Sequence, residues 1–273
     1  MEQLKKTIRL GSGTQMPMLG LGVYNAQGSE AQRAVEFALN CGYRLIDTAS
    51  VYKNEDDVGR AIRSSSVPRE ELFITTKVWN TAQRLGDIEG ALLRSLERLG
   101  LSYIDLYLIH FPVPGCYLET WRALEQLYRS GKVRAIGVSN FEIHHLETLA
   151  QISDITPAVN QIEVHPLCAN TELVSYCQEH KIAVQAYSPL ARGAYQNKEV
   201  LQQIGSQHGK SAAQTGLRWL LQRGIAVIPK SVQPQHIEEN AALWDFELSE
   251  PEMQAISALN EDYRLNDLSE HIL

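Results

Sequence analysis

No apolar run in this chain approaches the length of a membrane helix. The longest, around residues 103–111, is interrupted by Asp105, where a span takes about 20 apolar residues. Cysteine is scarce, four in 273 residues, and none of Cys41, Cys116, Cys168 and Cys177 forms a C-x-x-C or has histidine at ligand spacing. Neither a disulfide framework nor a zinc module is expected, and a reducing, cytoplasmic compartment fits. Cys41 and Cys177 fall in helix-like stretches as small apolar side chains. Cys116 and Cys168 fall in loops, where a reactive thiol stays open. Positive charge is in deficit, with 25 Lys and Arg against 32 Asp and Glu and a net charge of −7. Such a chain has no broad affinity for nucleic acid or anionic membrane, so any bound anion must be met by a local group of donors. The first ten residues, MEQLKKTIRL, hold neither an apolar core nor a small-residue cleavage site, and no secretory leader is expected. No G-x-G-x-x-G follows the first strand-like segment, which argues against a Rossmann domain.

What is present is a core and a repeat. Hydrophobic residues make up 44% of the chain and charged residues only 21%, a folded rather than a disordered composition. The segments 7–10 and 15–18 flank Gly11-Ser12-Gly13, which predicts a small β-hairpin whose turn uses positive φ. Short apolar strands then follow at 19–23, 45–48, 72–77, 104–110, 135–139, 159–164, 183–187 and 226–229. Between and after them, 3.6-residue periodicity predicts helices at 29–40, 55–63, 87–99, 118–130, 143–151, 171–180, 199–208 and 234–243, with two extra helices at 212–222 and 250–259. Gly100 and Gly131 are helix stops, and Ser249-Glu250-Pro251-Glu252 is a helix start. Alternation of this kind predicts a parallel sheet. Eight repeats with no linker or composition break favour an α/β fold of the closed (β/α)8 TIM-barrel type, as one domain over residues 1–273.

Chemistry in a β/α barrel sits at the carboxyl ends of its strands. Asp47, Lys77 and His110 end three apolar strands, and Tyr52 lies in the loop after Asp47. Singly, each has a commoner structural role as cap, solvated cation, hydrogen-bonded core residue or packing ring. Together they make a device for protonating a carbonyl. A lysine cation beside a phenol favours the phenolate and lowers its pKa from about 10. The aspartate fixes the lysine, and the histidine orients the substrate oxygen. A metal-dependent hydrolase would need more His, Asp and Glu at these ends than one of each acid and base. The pair His144-His145 points to different helix faces and reads as solvated surface, while His165 before Pro166 reads as structural.

The motifs are wider than these four residues. They include Gly20-Leu21-Gly22-Val23-Tyr24, Gly42-Tyr43-Arg44-Leu45-Ile46-Asp47-Thr48-Ala49, Tyr52-Lys53-Asn54-Glu55 and Lys77-Val78-Trp79-Asn80. Asp105 to His110, Gly137 to Phe141, Asn160-Gln161-Ile162-Glu163, Tyr187-Ser188-Pro189-Leu190 and Ile228-Pro229-Lys230-Ser231 continue the series. In these motifs, over nearly its whole length, the chain resembles the aldo-keto reductase superfamily, most of all its bacterial diketo-gluconate reductase and prostaglandin F synthase-like branches. The resemblance implies that Asp47, Tyr52, Lys77 and His110 form the catalytic tetrad of an NADPH-dependent carbonyl reductase. It implies that Ser139, Asn140 and Gln161 hold the nicotinamide carboxamide, that Tyr187 stacks on the ring, and that Ser188 and Leu190 lie near the pyrophosphate. Gly22, Val23, Tyr24 and Asp47 would also border the cofactor, and Tyr24, Trp79 and Phe111 would wall the substrate pocket. Lys230 and Ser231 match contacts to an adenosine 2′-phosphate, and Glu239 and Asn240 match adenine contacts.

One departure bears on the cofactor. Where this family usually has Arg, the chain has His236. Arginine is an always-charged planar fork, whereas histidine is mostly neutral near pH 7. NADPH remains the expected cofactor, with a weaker preference over NADH, and dual use stays open. The short loop 111–116 and the early chain end at Leu273 predict an open pocket. Open apolar pockets discriminate weakly, a missing methylene costing about 1–3 kcal/mol. Broad reduction of aldehydes and activated ketones, dicarbonyls included, is expected of a monomer. A non-catalytic relative on the same scaffold is the rival, and loss of cofactor oxidation would mark it.

Overall fold

The computed structural model describes residues 6–266. Residues 1–5, part of the segment weighed above as a leader, and residues 267–273 lie outside them. The strands β1 (Thr7–Arg9) and β2 (Gln15–Pro17) form the predicted antiparallel hairpin. Of its turn glycines only Gly13 takes positive φ, 86°. Leu10 and Met16 from this hairpin are buried among Leu45, Phe73, Leu106, Leu108 and Val159. The hairpin therefore plugs the amino-terminal end of the second, larger sheet.

Eight parallel strands make that sheet: β3 (Gly20–Gly22), β4 (Leu45–Asp47), β5 (Phe73–Val78), β6 (Leu106–Ile109), β7 (Ile136–Ser139), β8 (Val159–Glu163), β9 (Ala183–Tyr187) and β10 (Ala226–Val227). They pair in sequence order from β3 to β10. Parallel bridges Leu19 to Val227 and Gly22 to Lys230 join the last strand to the first, so the sheet closes into a barrel. The final strand is shorter than the expected 226–229. Pro229 has no N–H to give to a ladder, yet its carbonyl still accepts the Gly22 N–H at 3.2 Å and completes the closure.

The helices are α1 (Gly28–Asn40), α2 (Glu55–Ser64), α3 (Asn80–Leu85), α4 (Ile88–Leu99), α5 (Tyr117–Arg129), α6 (Ile143–Ala150), α7 (Thr171–Glu179), α8 (Glu199–Gln207), α9 (Ala212–Gln222), α10 (Pro234–Ala241) and α11 (Glu250–Ser257). Periodicity did not predict α3. It has less than two turns, its buried residues are Asn80, Ala82 and Gln83, and it carries no apolar stripe to detect. The caps behave as their chemistry demands. Gly100 ends α4 at φ 67°, and Ser249 with Glu252 forms a capping box on α11. Helix α9 packs on β10 and α8 packs on α9, with Trp219 of α9 fully buried and its Nε1 donating to Ser257 Oγ at 3.0 Å.

The two histidines of α6 do not share a fate. His144 is exposed, as expected of a solvated face, but His145 is half-buried. Its Nδ1 accepts the Glu142 N–H at 3.1 Å and its ring packs on Tyr117 and Phe141. Burial, with the neighbouring His144, pushes its pKa down to about 4. His165 is fully buried and bonded to Glu163 at 3.1 Å, a structural part. Cys168, read as a loop thiol open to reaction, is buried, and burial raises both it and Cys177 to about 11. Among the described residues no helix is long and apolar enough to cross a membrane.

Candidate active site

Strand register brings the sequence-predicted groups to one end of the barrel. Asp47 is the last residue of β4, lies opposite Thr75 on β5, and is 2% exposed. Lys77, near the end of β5, has no exposed surface. A buried ammonium must be paired and fully hydrogen-bonded. Its Nζ donates to Asp47 Oδ1 at 2.6 Å and to the Thr48 carbonyl at 2.9 Å. The other carboxylate oxygen of Asp47 accepts from Gln161 Nε2 at 2.7 Å, reaching from β8 across the barrel. Burial pushes the Asp47 carboxyl up and the Lys77 ammonium down, and each opposes the other's shift through its charge.

Tyr52 closes a single 3-10 turn, Ser50–Tyr52, with the chain leaving through Lys53 at φ 56°. Its ring lies 5.1 Å from Lys77 Nζ and 5.7 Å from the His110 ring, edge to face. The expected lowering of its pKa does not occur. Burial first, then the negative charge of Asp47, push the phenol well above its ordinary value. The hydroxyl therefore keeps its proton at neutral pH. His110 follows β6, is buried, stacks on Phe111 at 5.1 Å and meets Trp79 edge-on at 5.1 Å.

One cavity of about 750 Å³ opens in front of these groups. Asp47, Tyr52 and His110 border it, and so do the expected pocket walls Tyr24, Trp79 and Phe111. Gly22, Ser139, Asn140, Gln161, Tyr187, Ser188, Leu190 and Lys230 line the same space. A Cβ on Gly22 would stand 2.8 Å from the Ile228 carbonyl, so only glycine fits at this closure of the barrel. Asn140 is held in the left-handed region at φ 62°, donates to the His110 carbonyl at 3.0 Å and accepts from the Tyr187 hydroxyl at 2.8 Å. Ser139 Oγ donates to the Gln161 carbonyl at 2.8 Å.

The remaining expected residues lie elsewhere. Lys77 stands behind Asp47, and Val23 is buried in the core. Ser231 is buried and its hydroxyl accepts the Gln233 N–H at 3.1 Å. His236, Glu239 and Asn240 sit on α10 beyond the cavity lining. His236 is exposed, Asn240 is buried, and the Glu239 carboxylate accepts the Ser211 hydroxyl at 2.5 Å. Several lining residues were not anticipated. Arg192 reaches the cavity from a left-handed turn after β9, and its Nη2 donates to Asn266 Oδ1 at 3.0 Å. Asn266 is brought there by the buried Glu163, whose carboxylate accepts the Leu265 N–H at 2.6 Å and the Asn266 side chain at 3.0 Å. The only sequence trace of this contact was a glutamate at a strand end. Among the described residues no cluster of three or more His, Cys, Asp and Glu is placed to hold a metal ion.

Comparison with known proteins bears on this arrangement. Residues 9–261 match the Aldo/keto reductase family. The chain is 51% identical over 271 residues to a glyoxal reductase of Bacillus subtilis, covering 99% of this chain and 98% of that one. It is 46% identical over 262 residues to the methylglyoxal reductase DkgA of Escherichia coli, covering 94% of each. Among solved structures, an aldo-keto reductase of Bombyx mori in complex with NADP superposes with a TM-score of 0.91 at 40% identity, covering 97% of this chain and 96% of that one. A closed (β/α)8 barrel with these residues at its carboxyl end, matched over almost its whole length, belongs to the aldo/keto reductase family and is an oxidoreductase acting on carbonyls.

Proposed function

We propose that the protein reduces aldehydes and activated ketones, small dicarbonyls included, to alcohols with NADPH, and that Tyr52 is the general acid. The observation that carries this is the buried Asp47–Lys77 pair, 2.6 Å apart, with Lys77 Nζ 5.1 Å from the Tyr52 ring and an open cavity in front. The glyoxal and methylglyoxal reductases that the chain resembles point to the same substrate class.

The residues present fit a nicotinamide dinucleotide. Ser139 and Asn140 supply hydroxyl and amide groups at the cavity wall, and Gln161, whose N–H groups go to Asp47 and Gln185, keeps its amide oxygen for a donor. Tyr187 offers a ring, and Lys230 with Arg192 offers cations to an otherwise acidic protein's anionic ligand. When bound, the cofactor supplies the hydride. Ser188 and Leu190 would lie along its phosphates, and Ser231, His236, Glu239 and Asn240 would meet the adenosine end. Use of NADH as well remains part of the proposal, because His236 stands where an arginine fork is usual.

The chain's own part is the proton. His110 and Tyr52 converge on one end of the pocket, so a carbonyl oxygen placed between them receives hydrogen bonds from both. Lys77 stabilises the phenolate that Tyr52 becomes on giving up its proton, and Asp47 keeps the lysine in place. Tyr24, Trp79 and Phe111 exclude water on the substrate side. With Tyr24 50% exposed, the wall is open and selects weakly among small carbonyls. Its four cysteines are free, which favours a cytoplasmic setting, and we take the chain to act as a monomeric single domain. The test is NADPH oxidation, followed by absorbance, with methylglyoxal as substrate. Tyr52→Phe is expected to lower kcat by about 10²–10⁴-fold with unchanged NADPH affinity. A variant within a few-fold of the parent would remove Tyr52 from the mechanism.

A further inference from the structure

Three residues after Tyr52 the chain enters α2 at Glu55, a carboxylate only 1% exposed. A buried carboxylate is costly unless its oxygens are satisfied, and here both are. Oε1 accepts the Thr76 hydroxyl at 2.6 Å. Oε2 accepts two bonds from Arg98 on α4, from Nε at 2.8 Å and Nη2 at 2.6 Å. Thr76 precedes Lys77 on β5, and neighbouring strand residues point to opposite faces. Lys77 therefore faces the barrel interior and Asp47, while Thr76 faces outward to Glu55. One strand is gripped from both sides at adjacent residues.

The segment between Tyr52 and Glu55 has little slack. Asn54 is fully buried; it accepts the Thr48 hydroxyl at 2.7 Å and donates to the carbonyls of Val23 and Ala26 at 2.8 and 2.9 Å. Gln27 Nε2 donates to the Tyr52 carbonyl at 2.6 Å. On the far side α2 and α4 touch through backbone, since a Cβ on Gly59 would lie 2.5 Å from the Leu99 carbonyl. Arg98 thus reaches Glu55 from a fixed wall. A buried ion pair is weak evidence for stability, because an apolar replacement of similar volume is often as stable or more so. Its benefit is better sought in geometry.

We propose that Glu55 is a positioning residue for the carbonyl-reducing step: by tying the start of α2 to Thr76 and Arg98, it fixes the Tyr52 hydroxyl relative to Lys77 and the substrate oxygen. This rests on the roles proposed above for Tyr52 and Lys77. The mechanism of loss is misplacement, for which a shift of about 1 Å at a reacting group can cost as much as ~10²-fold.

The test compares the full-length enzyme with Glu55→Ala, Glu55→Gln and Thr76→Val, and with Tyr52→Phe as reference. For each, kcat with methylglyoxal and the Kd of NADPH by fluorescence quenching are measured. Glu55→Ala is expected to lose about tenfold in kcat, with the Kd within about twofold. Glu55→Gln is expected to recover part of that loss, because its amide oxygen still accepts from Thr76 while its NH2 cannot accept from Arg98. Thr76→Val, which keeps the volume and removes the bond, is expected to lose kcat in the same direction by a few-fold. A Glu55→Ala enzyme with kcat within twofold of the parent overturns the proposal. So does an equal loss of kcat and NADPH affinity, which marks general disruption. If Glu55→Ala does not fold, Thr76→Val decides, and an unchanged kcat there overturns it. If Tyr52→Phe stays active, the assignment of Tyr52 fails first, and Glu55 has no pair to position.

Discussion

Removing the Lys77 ammonium leaves Asp47, 2% exposed, with a single remaining side-chain bond, from Gln161 at 2.7 Å. Breaking a buried pair from one side typically costs about 3–5 kcal/mol, while replacing both partners with uncharged groups is often near neutral. Lys77→Met is therefore expected to destabilise by about 3–5 kcal/mol, Asp47→Asn by a comparable amount, and the double variant by less than either single one. At roughly 2–4 °C per kcal/mol for a chain of this size, the single variants should melt about 6–20 °C below the parent. The pH dependence sharpens the test. In the parent, burial raises the Asp47 carboxyl and the charge of Lys77 opposes that rise. Without Lys77 only the Gln161 hydrogen bond opposes the rise. A carboxyl whose folded pKa is raised contributes stability at pH below its unfolded value, lost as pH climbs through the folded value. The Lys77→Met penalty should accordingly shrink towards acid pH and be greatest near neutrality. Thermal melts of the four proteins, each relative to the parent across pH 5 to 8, read both effects. Costs that simply add, together with a penalty indifferent to pH, would refute the idea that this pair is ionised and mutually dependent.

Local punctuation decided how much of the fold was legible. Strand 183–187 and helix 212–222 were read to the residue. The strand is followed by Ser188 at φ 47° and Pro189, which ends pairing. The helix opens on a Ser211–Gln214 capping box. Punctuation alone was not enough: α3 ends on Gly86 in the left-handed region, yet without an apolar stripe it was missed. Asp47, Lys77 and His110 were legible because a polar residue at the end of an apolar strand is conspicuous in a period-2 pattern. Glu55 was not, since its partner Arg98 is 43 residues away. Glu163 was not, since the backbone N–H it holds, that of Leu265, is 102 residues distant. The error about the Tyr52 phenol has the same origin. Spacing showed that a cation would be near, but not that burial and Asp47 together would outweigh it. Sequence reading found the polar groups that gather at the barrel's carboxyl end and missed their partners from distant parts of the chain.

Two groups outside the tetrad carry further predictions. His145 is neutral in the folded protein, its Nδ1 occupied by the Glu142 N–H, with its pKa pushed down to about 4 by burial and by His144. The unfolded imidazole takes up its proton near 6.5, so folding stability should fall as pH drops from about 6.5 to 4. His145→Gln should flatten that limb of a chemical-denaturation series, and an unaltered slope would show that His145 does not carry it. The last concerns the cofactor end of the site. His236 is exposed and sits in the first turn of α10, two residues after Pro234, close in sequence to Lys230 and Ser231. An imidazole lacks the permanent charge and planar fork that would add to the field of Lys230 and the helix amino terminus at a phosphate. An arginine there brings a permanent charge and a planar fork. His236→Arg should tighten NADPH by about tenfold, equivalent to about 1.4 kcal/mol, and leave NADH within about twofold, because NADH has no 2′-phosphate for the fork to grip. Fluorescence titration with each nucleotide separates the cases. Equal tightening of both would place the gain on the adenine face. No change in either would mean that Lys230 and Ser231 already saturate the phosphate, and that the histidine is no handicap to NADPH selection.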